Sequence, residues 1–285
     1  MTYTCTPWLV RLLALGRRGS WGILLWLLWL LPAQAIELRV AVNNNSQIQV
    51  GTSTTGVIRD SRGQALLQLP ELQPITVDEV GGRLALINDR SNLGESNSYW
   101  LEPSGDGVVW IGDRWYRGKV LLMPTENGVK AINYVNIDDY LYSVVGSEMP
   151  TSWPQEALRS QAVAARSYAL YHQRHARSRA YDLSSTQISQ VYKGLQGEAS
   201  STHTAVNATR GKVLTHGGQV IEAVFHSSSG GHTENSEHVW SKAVPYLKGV
   251  PDFDQSAPVY SWRAQFSLAD VGARIGYPGT ITAVE

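Results

Sequence analysis

The sequence predicts an α+β fold: an antiparallel β-rich module packed with a core that holds one long helix, about residues 152–174, and a short helix before it. Three observations lead there. Residues 36–130 are short alternating or β-branched runs separated by Gly, Asn, Asp and Ser clusters. Near Asp138 the spacing of apolar residues changes to three and four. An alanine-rich stretch with helix-start signals then follows.

Taken in order, residues 1–35 read as a signal peptide. Arg11, Arg17 and Arg18 form a basic start, "WGILLWLLWLL" an apolar centre, and Ala33 to Ala35 a small-x-small cleavage site. The apolar run is short for a bilayer span of about 20 residues, so the chain is expected to be exported to the periplasm or cell envelope without a lasting transmembrane helix. Cleavage after Ala35 removes three arginines and no acid. The 24 basic side chains become 21 against 24 acidic ones, a net charge of −3. That surface argues against nucleic acid as a partner. The only cysteine, Cys5, lies in the leader, so disulfides and thiol chemistry are excluded from the mature chain.

Two domains are expected, at 36–130 and 131–285. In the first, "IELRVAV", "QIQVGTS", "ITVDEV", "RLALIND", "GVVWIGDRWY" and "GKVLLM" read as strands. In the second, Ile137, Leu141, Val144 and Val145 space a short helix. Ser152, Pro154 and Gln155 form a capping-box start for the long one, whose face carries Leu158, Ala162, Ala165 and Ala169. Beyond it, "QVYKG" and "GKVLTHGGQVIEAVFHSSSGG" read as strands and turns, and a further helix is expected from Ser267. "TITAVE" reads as an unfinished strand, so the core is expected to lack its final strands.

Three stretches could carry chemistry. Glu148 lies between Gly146 and Pro150, ahead of the long helix. A carboxylate on a stiff turn is held in one place, as general acid–base catalysis requires; it could equally be a cap or pair with Arg166. The loop from Phe225 to Trp240 carries His226, His232 and His238 at intervals of six, with Ser228, Ser229 and Glu234. Six is not a metal-pair spacing on a helix and no cysteine is available. A serine nucleophile lacks the G-x-S-x-G turn. A glycine-rich turn that admits a ligand, including a sugar, fits these residues as well. In "STQISQVYKG", Gln190 and Tyr192 share a face and suit either a half-exposed strand or a groove wall.

"YLYSVVGSEMPTSWPQEALRSQAVAARSYAL", "STQISQVYKG" and "SSSGGHTENSEHVW", in that order, resemble the stage II sporulation protein D (SpoIID/LytB) family. The resemblance implies an exported lytic transglycosylase of peptidoglycan that prefers glycan strands stripped of stem peptides. It implies Glu148 of the "EMP" turn as the catalytic acid and then base. Arg166, Gln190, Tyr192, Ser228, Ser229 and Glu234 are expected to bind or orient the sugar. Some members hold zinc through Cys and His in the segment matching Tyr181 to Tyr192. Ser184, Ile188 and Ser189 stand there instead, so no metal and no cofactor are expected. The family's amidase-enhancer label implies an alternative: a non-catalytic, glycan-binding activator of an N-acetylmuramoyl-L-alanine amidase.

Overall fold

The computed structural model describes residues 36–283 apart from 89–90. The expected signal peptide at 1–35 lies outside the described residues. The chain divides into two compact units between Tyr140 and Leu141.

The first unit is built from twelve described strands: β1 (Glu37–Asn45), β2 (Gln47–Thr52), β3 (Gly56–Arg59), β4 (Ala65–Leu69), β5 (Ile75–Val80), β6 (Arg83–Asn88), β7 (Ser91–Ser96), β8 (Tyr99–Pro103), β9 (Val109–Ile111), β10 (Arg114–Tyr116), β11 (Lys119–Thr125) and β12 (Gly128–Asn136). Within the unit one sheet runs β1-β12-β11-β8-β3-β4 and the other β10-β9-β2-β5-β6-β7, with antiparallel neighbours throughout. Alternation makes the shared core. Leu38, Val40, Leu101, Val120 and Leu122 are buried from one sheet, and Ile48, Val50, Val77, Leu84, Leu86 and Ile111 from the other. β12 was not expected as a strand beyond Lys130. It pairs with β1 as far as Asn136 and with β11 as far as Tyr134, which carries the first unit past the expected 130/131 boundary.

The second unit carries α1 (Ile137–Glu148), whose residues from Leu141 onward belong to it, and α2 (Gln155–Arg174). A two-residue strand β13 (Leu183–Ser184), a 3₁₀ turn (Gly194–Gly197) and α3 (Ser200–Ala208) follow. The hairpin β14 (Thr215–His216) and β15 (Gln219–Val220) and the short helices α4 (Ser236–Trp240) and α5 (Leu268–Arg274) complete it. Leu141, Val144, Val145, Leu158, Ala162, Ala165, Ala169, Ala205 and Val206 form its buried core. The alanines of α2 let α3 lie close against it.

Several expectations change here. The long helix starts at Gln155, not near Ser152, because Pro154 disfavours the helical conformation for Trp153. No capping box forms; Gln155 Nε2 donates to Ser201 O at 3.2 Å instead. "QVYKG" is irregular from Gln190 to Lys193 and enters the 3₁₀ helix at Gly194, rather than forming a strand. α3 was missed because "SSTHTAVNA" is rich in Ser, Thr and Asn, which are poor helix formers. At α5 the Ser267 cap is present, accepting from Asp270 N at 3.1 Å.

Candidate active site

Glu148 is the last residue of α1, not part of a free turn. α1 stops there because Pro150 excludes Met149 from the helical region; Met149 N still donates to Val145 O at 3.2 Å. What holds this helix end is a close approach to the 3₁₀ turn. A Cβ on Gly197 would lie 2.6 Å from Ser143 O, and one on Gly146 would run into Gly197 O. The two glycines bring α1 against the segment 185–197. Val191 N then donates to Glu148 Oε1 at 2.7 Å, and Lys193 N donates to Ser143 Oγ at 3.2 Å. The carboxylate is thus fixed by a main-chain amide.

Glu148 opens into a cleft of about 820 Å³ lined by Met149, Pro150, Trp153, Gln161, Gln187, Phe225, His226, Ser227 and the segment Asp252–Val259 except Gln255. This is large enough for a ligand of several rings. Two polar atoms of lining residues have no hydrogen-bond partner among the described residues: Nε2 of Gln161, a residue only 9% exposed, and Oδ1 of Asp254. One offers a donor and the other an acceptor. The other oxygen of Asp254, Oδ2, is saturated. It accepts from Ser228 Oγ, from Ser229 N at 2.7 Å and from Gly230 N at 3.0 Å, while Ser229 Oγ donates to Asp252 Oδ2 at 2.8 Å. The Ser228 hydroxyl, aided by the two amides, holds Asp254 down to about 2, so it is ionised at any physiological pH.

Beneath the cleft, burial pushes Tyr168 up, with Glu222 and Glu148 adding to it. Its ring meets Phe225 edge-on at 6.4 Å and His172 at 4.2 Å. His172 Nε2 lies 3.1 Å from Glu222 Oε1 without hydrogen-bond alignment. Burial lowers His172, against the pull of that carboxylate.

The expected site residues therefore separate. Glu148 lines the cleft. Ser228 and Ser229 stand behind its wall, orienting Asp254 and Asp252. Arg166 is 2% exposed, and its guanidinium donates to Thr209 O at 2.8 Å, Lys212 O at 3.2 Å and Val206 O at 3.4 Å, closing the C-terminal end of α3. Gln190 and Tyr192 are 0% and 1% exposed and anchor the loop on either side of Val191, with Gln190 Nε2 donating to Ala165 O at 3.4 Å. Glu234 accepts from Asn235 N at 2.6 Å, which with His238 lowers it, and lies outside the cleft lining. Asp252 and Asp254, which the sequence analysis does not single out, line the same cleft as Glu148. Their signal was the D-x-D of "PDFDQ". The three loop histidines part company: His226 lines the cleft, His232 Nδ1 meets Thr233 O at 2.6 Å and His238 meets Glu234 at 2.9 Å. Among the described residues no three His, Cys, Asp or Glu side chains gather as a metal site would need. Ser184 Oγ donates to Ser189 Oγ at 3.3 Å.

Residues 125–216, which carry Glu148, α2, the 185–197 segment and α3, match the family model described as Stage II sporulation protein. That segment resembles the SpoIID family. It is 32% identical over 163 residues to the stage II sporulation protein D of Bacillus subtilis, covering 52% of this chain and 48% of that protein. An uncharacterised protein of Brachyspira hyodysenteriae is 38% identical over 167 residues, 58% of this chain and 45% of its own length. The amidase enhancer of Bacillus subtilis is 40% identical over 127 residues, 45% of this chain but 17% of that protein. The chain thus spans about half the length, or less, of the curated relatives it matches. Among the described residues no helix is long and apolar enough to cross a membrane.

Proposed function

We propose that this chain is an exported peptidoglycan lytic transglycosylase that cleaves between N-acetylmuramic acid and N-acetylglucosamine. The observation that carries the reading is Glu148, fixed by the Val191 N–H and opening into the cleft. Because Oε1 takes that N–H, Oε2 carries the working proton. Glu148 donates it to the glycosidic oxygen as the C1–O bond breaks, leaving an oxocarbenium-like centre. The muramic acid's own 6-hydroxyl attacks C1, the carboxylate takes the hydroxyl proton, and a 1,6-anhydro ring closes. No water enters, and the nucleophile acts at the high effective concentration of an intramolecular group. Asp254, kept ionised by Ser228, places a fixed negative charge in the lining of the same cleft. Gln161 and Asp254, both in the cleft lining, carry an amide and a carboxylate, groups that pair with the acetamido groups both sugars carry. Glycan strands stripped of stem peptides are the proposed substrate.

A second reading has its own observation: the 40% identity to a protein named amidase enhancer. In it the cleft binds glycan without cutting and the partner is a cell-wall amidase. Mass spectrometry of glycan strands, denuded and peptide-bearing, incubated with the protein and with Glu148→Gln separates them. Anhydro-muramic ends from the native protein alone are the expected result. Reducing ends would mean hydrolysis with Asp254 or Asp252 as base. Equal binding by both proteins with no cleavage would favour the enhancer.

A further inference from the structure

The first unit carries a second pocket, of about 300 Å³, lined by Gln49, Gly51, Thr52, Leu72, Pro74, Trp110 and Trp115. Strand register explains its shape. Gly51 of β2 pairs with Trp110 of β9, and Trp110 pairs with Trp115 of β10, so these three stand side by side on the outer face of one sheet. Ile48 and Val50 alternate to the inner face, where both are buried. Gly51 has no side chain to cover the flank of Trp110, so a notch remains where a residue of any size would fill the surface. The indoles meet edge to face, with centroids 5.2 Å apart and planes at 63°, and form two walls. Leu72 and Pro74 form the opposite one. Leu72 holds a φ of 58°, rare for a bulky side chain, with its N–H given to Thr52 O at 2.8 Å, and its side chain is 64% exposed. Such strain gathers at ligand clamps. Gln49, exposed at the rim, adds an amide donor and acceptor.

We infer that this pocket binds one pyranose residue of a polysaccharide chain. A sugar ring has an apolar C–H face and a polar hydroxyl edge. The notch matches both, with indole surface on one side and the Gln49 amide for the edge. Its volume fits one ring. A polyproline segment would need parallel aromatic ridges along an extended track; indoles at 63° around a single notch do not supply one. The site is separate from the Glu148 cleft and does not depend on what that cleft does.

The test is ¹⁹F NMR of the full chain labelled with 5-fluorotryptophan, with the Trp110 and Trp115 resonances assigned through Trp110→Phe and Trp115→Phe. The probe is the β-1,4-linked tetramer of N-acetylglucosamine, with a proline-rich peptide as comparison. Saturable shifts of both resonances with the tetramer are expected. Gly51→Ala should weaken that binding at least tenfold; its new Cβ would lie 3.4 Å from Pro74 Cα, an ordinary van der Waals contact that the fold accepts. A shift of Trp153 alone would place sugar in the cleft only and overturn the inference. A response to the peptide instead of the tetramer, or to neither, would overturn it as well.

Discussion

The two units reach order by different routes. In the first, β1, β3, β5, β8, β9 and β11 alternate buried residues with less buried ones, and there the register follows from the apolar pattern. In the second, long stretches after α3 lack regular structure, and what places Glu148 and Asp254 is a set of backbone approaches and hydrogen bonds rather than apolar periodicity. Stability and chemistry are therefore encoded in different currencies: side-chain alternation in one unit, and glycines and main-chain amides in the other.

The contrast predicts how substitutions divide. Glu148→Gln should lower glycan cleavage by about 10²–10⁴-fold, the usual worth of a general acid. It should leave the melting curve unchanged, because a glutamine Oε1 still accepts from Val191 N; a melting shift of several degrees would mean the carboxylate is structural. Leu122→Ala, in the first unit, should cost about 2–5 kcal/mol in denaturant unfolding and leave any activity of the folded protein intact. Gly197→Ala should cost about 1–3 kcal/mol and also reduce activity, since a Cβ there pushes α1 off its seat. If Gly197→Ala unfolds the protein without touching activity per folded molecule, the glycine contact does not position the acid. Gln161→Leu should raise KM about three- to tenfold while stabilising the fold by about 1 kcal/mol, because it removes a buried donor with no partner.

The smallest effect is on pH. The Asp254 carboxyl is lowered from 3.8 to about 2, so its hold on the Ser228–Gly230 loop is complete above pH 4 and is lost as pH falls through 2. A carboxyl ¹³C titration should show that midpoint, and Ser228→Ala should move it upward. No movement would mean that the amides alone set it.

How much of this could be read beforehand follows the same division. β1, β2, β5, β6, β9, β10 and β11 were legible from alternation. So was α5, from its serine cap. Glu148 was singled out by its neighbours, although the turn expected around it is a helix end. Arg166, Gln190 and Tyr192 were expected in a groove because polar residues among small or apolar ones suggest a site. Yet Arg166 follows Ala162 by four on the buried face of α2, the position of a core residue, and it closes α3, a helix that propensity could not reveal. Asp252 and Asp254 were overlooked because the loop that joins them to Ser228 and Ser229 is built from pairings about 25 residues apart, which no local pattern encodes.

The anchor on the proposed acid is an amide of the chain itself. Every residue but proline brings an N–H to position 191, so drift in the Val191 side chain cannot by that route release Glu148. The positioning of the acid is thereby insulated from most of the mutations its own neighbour can suffer, and the burden of keeping it falls on the distant glycines that let the two segments meet.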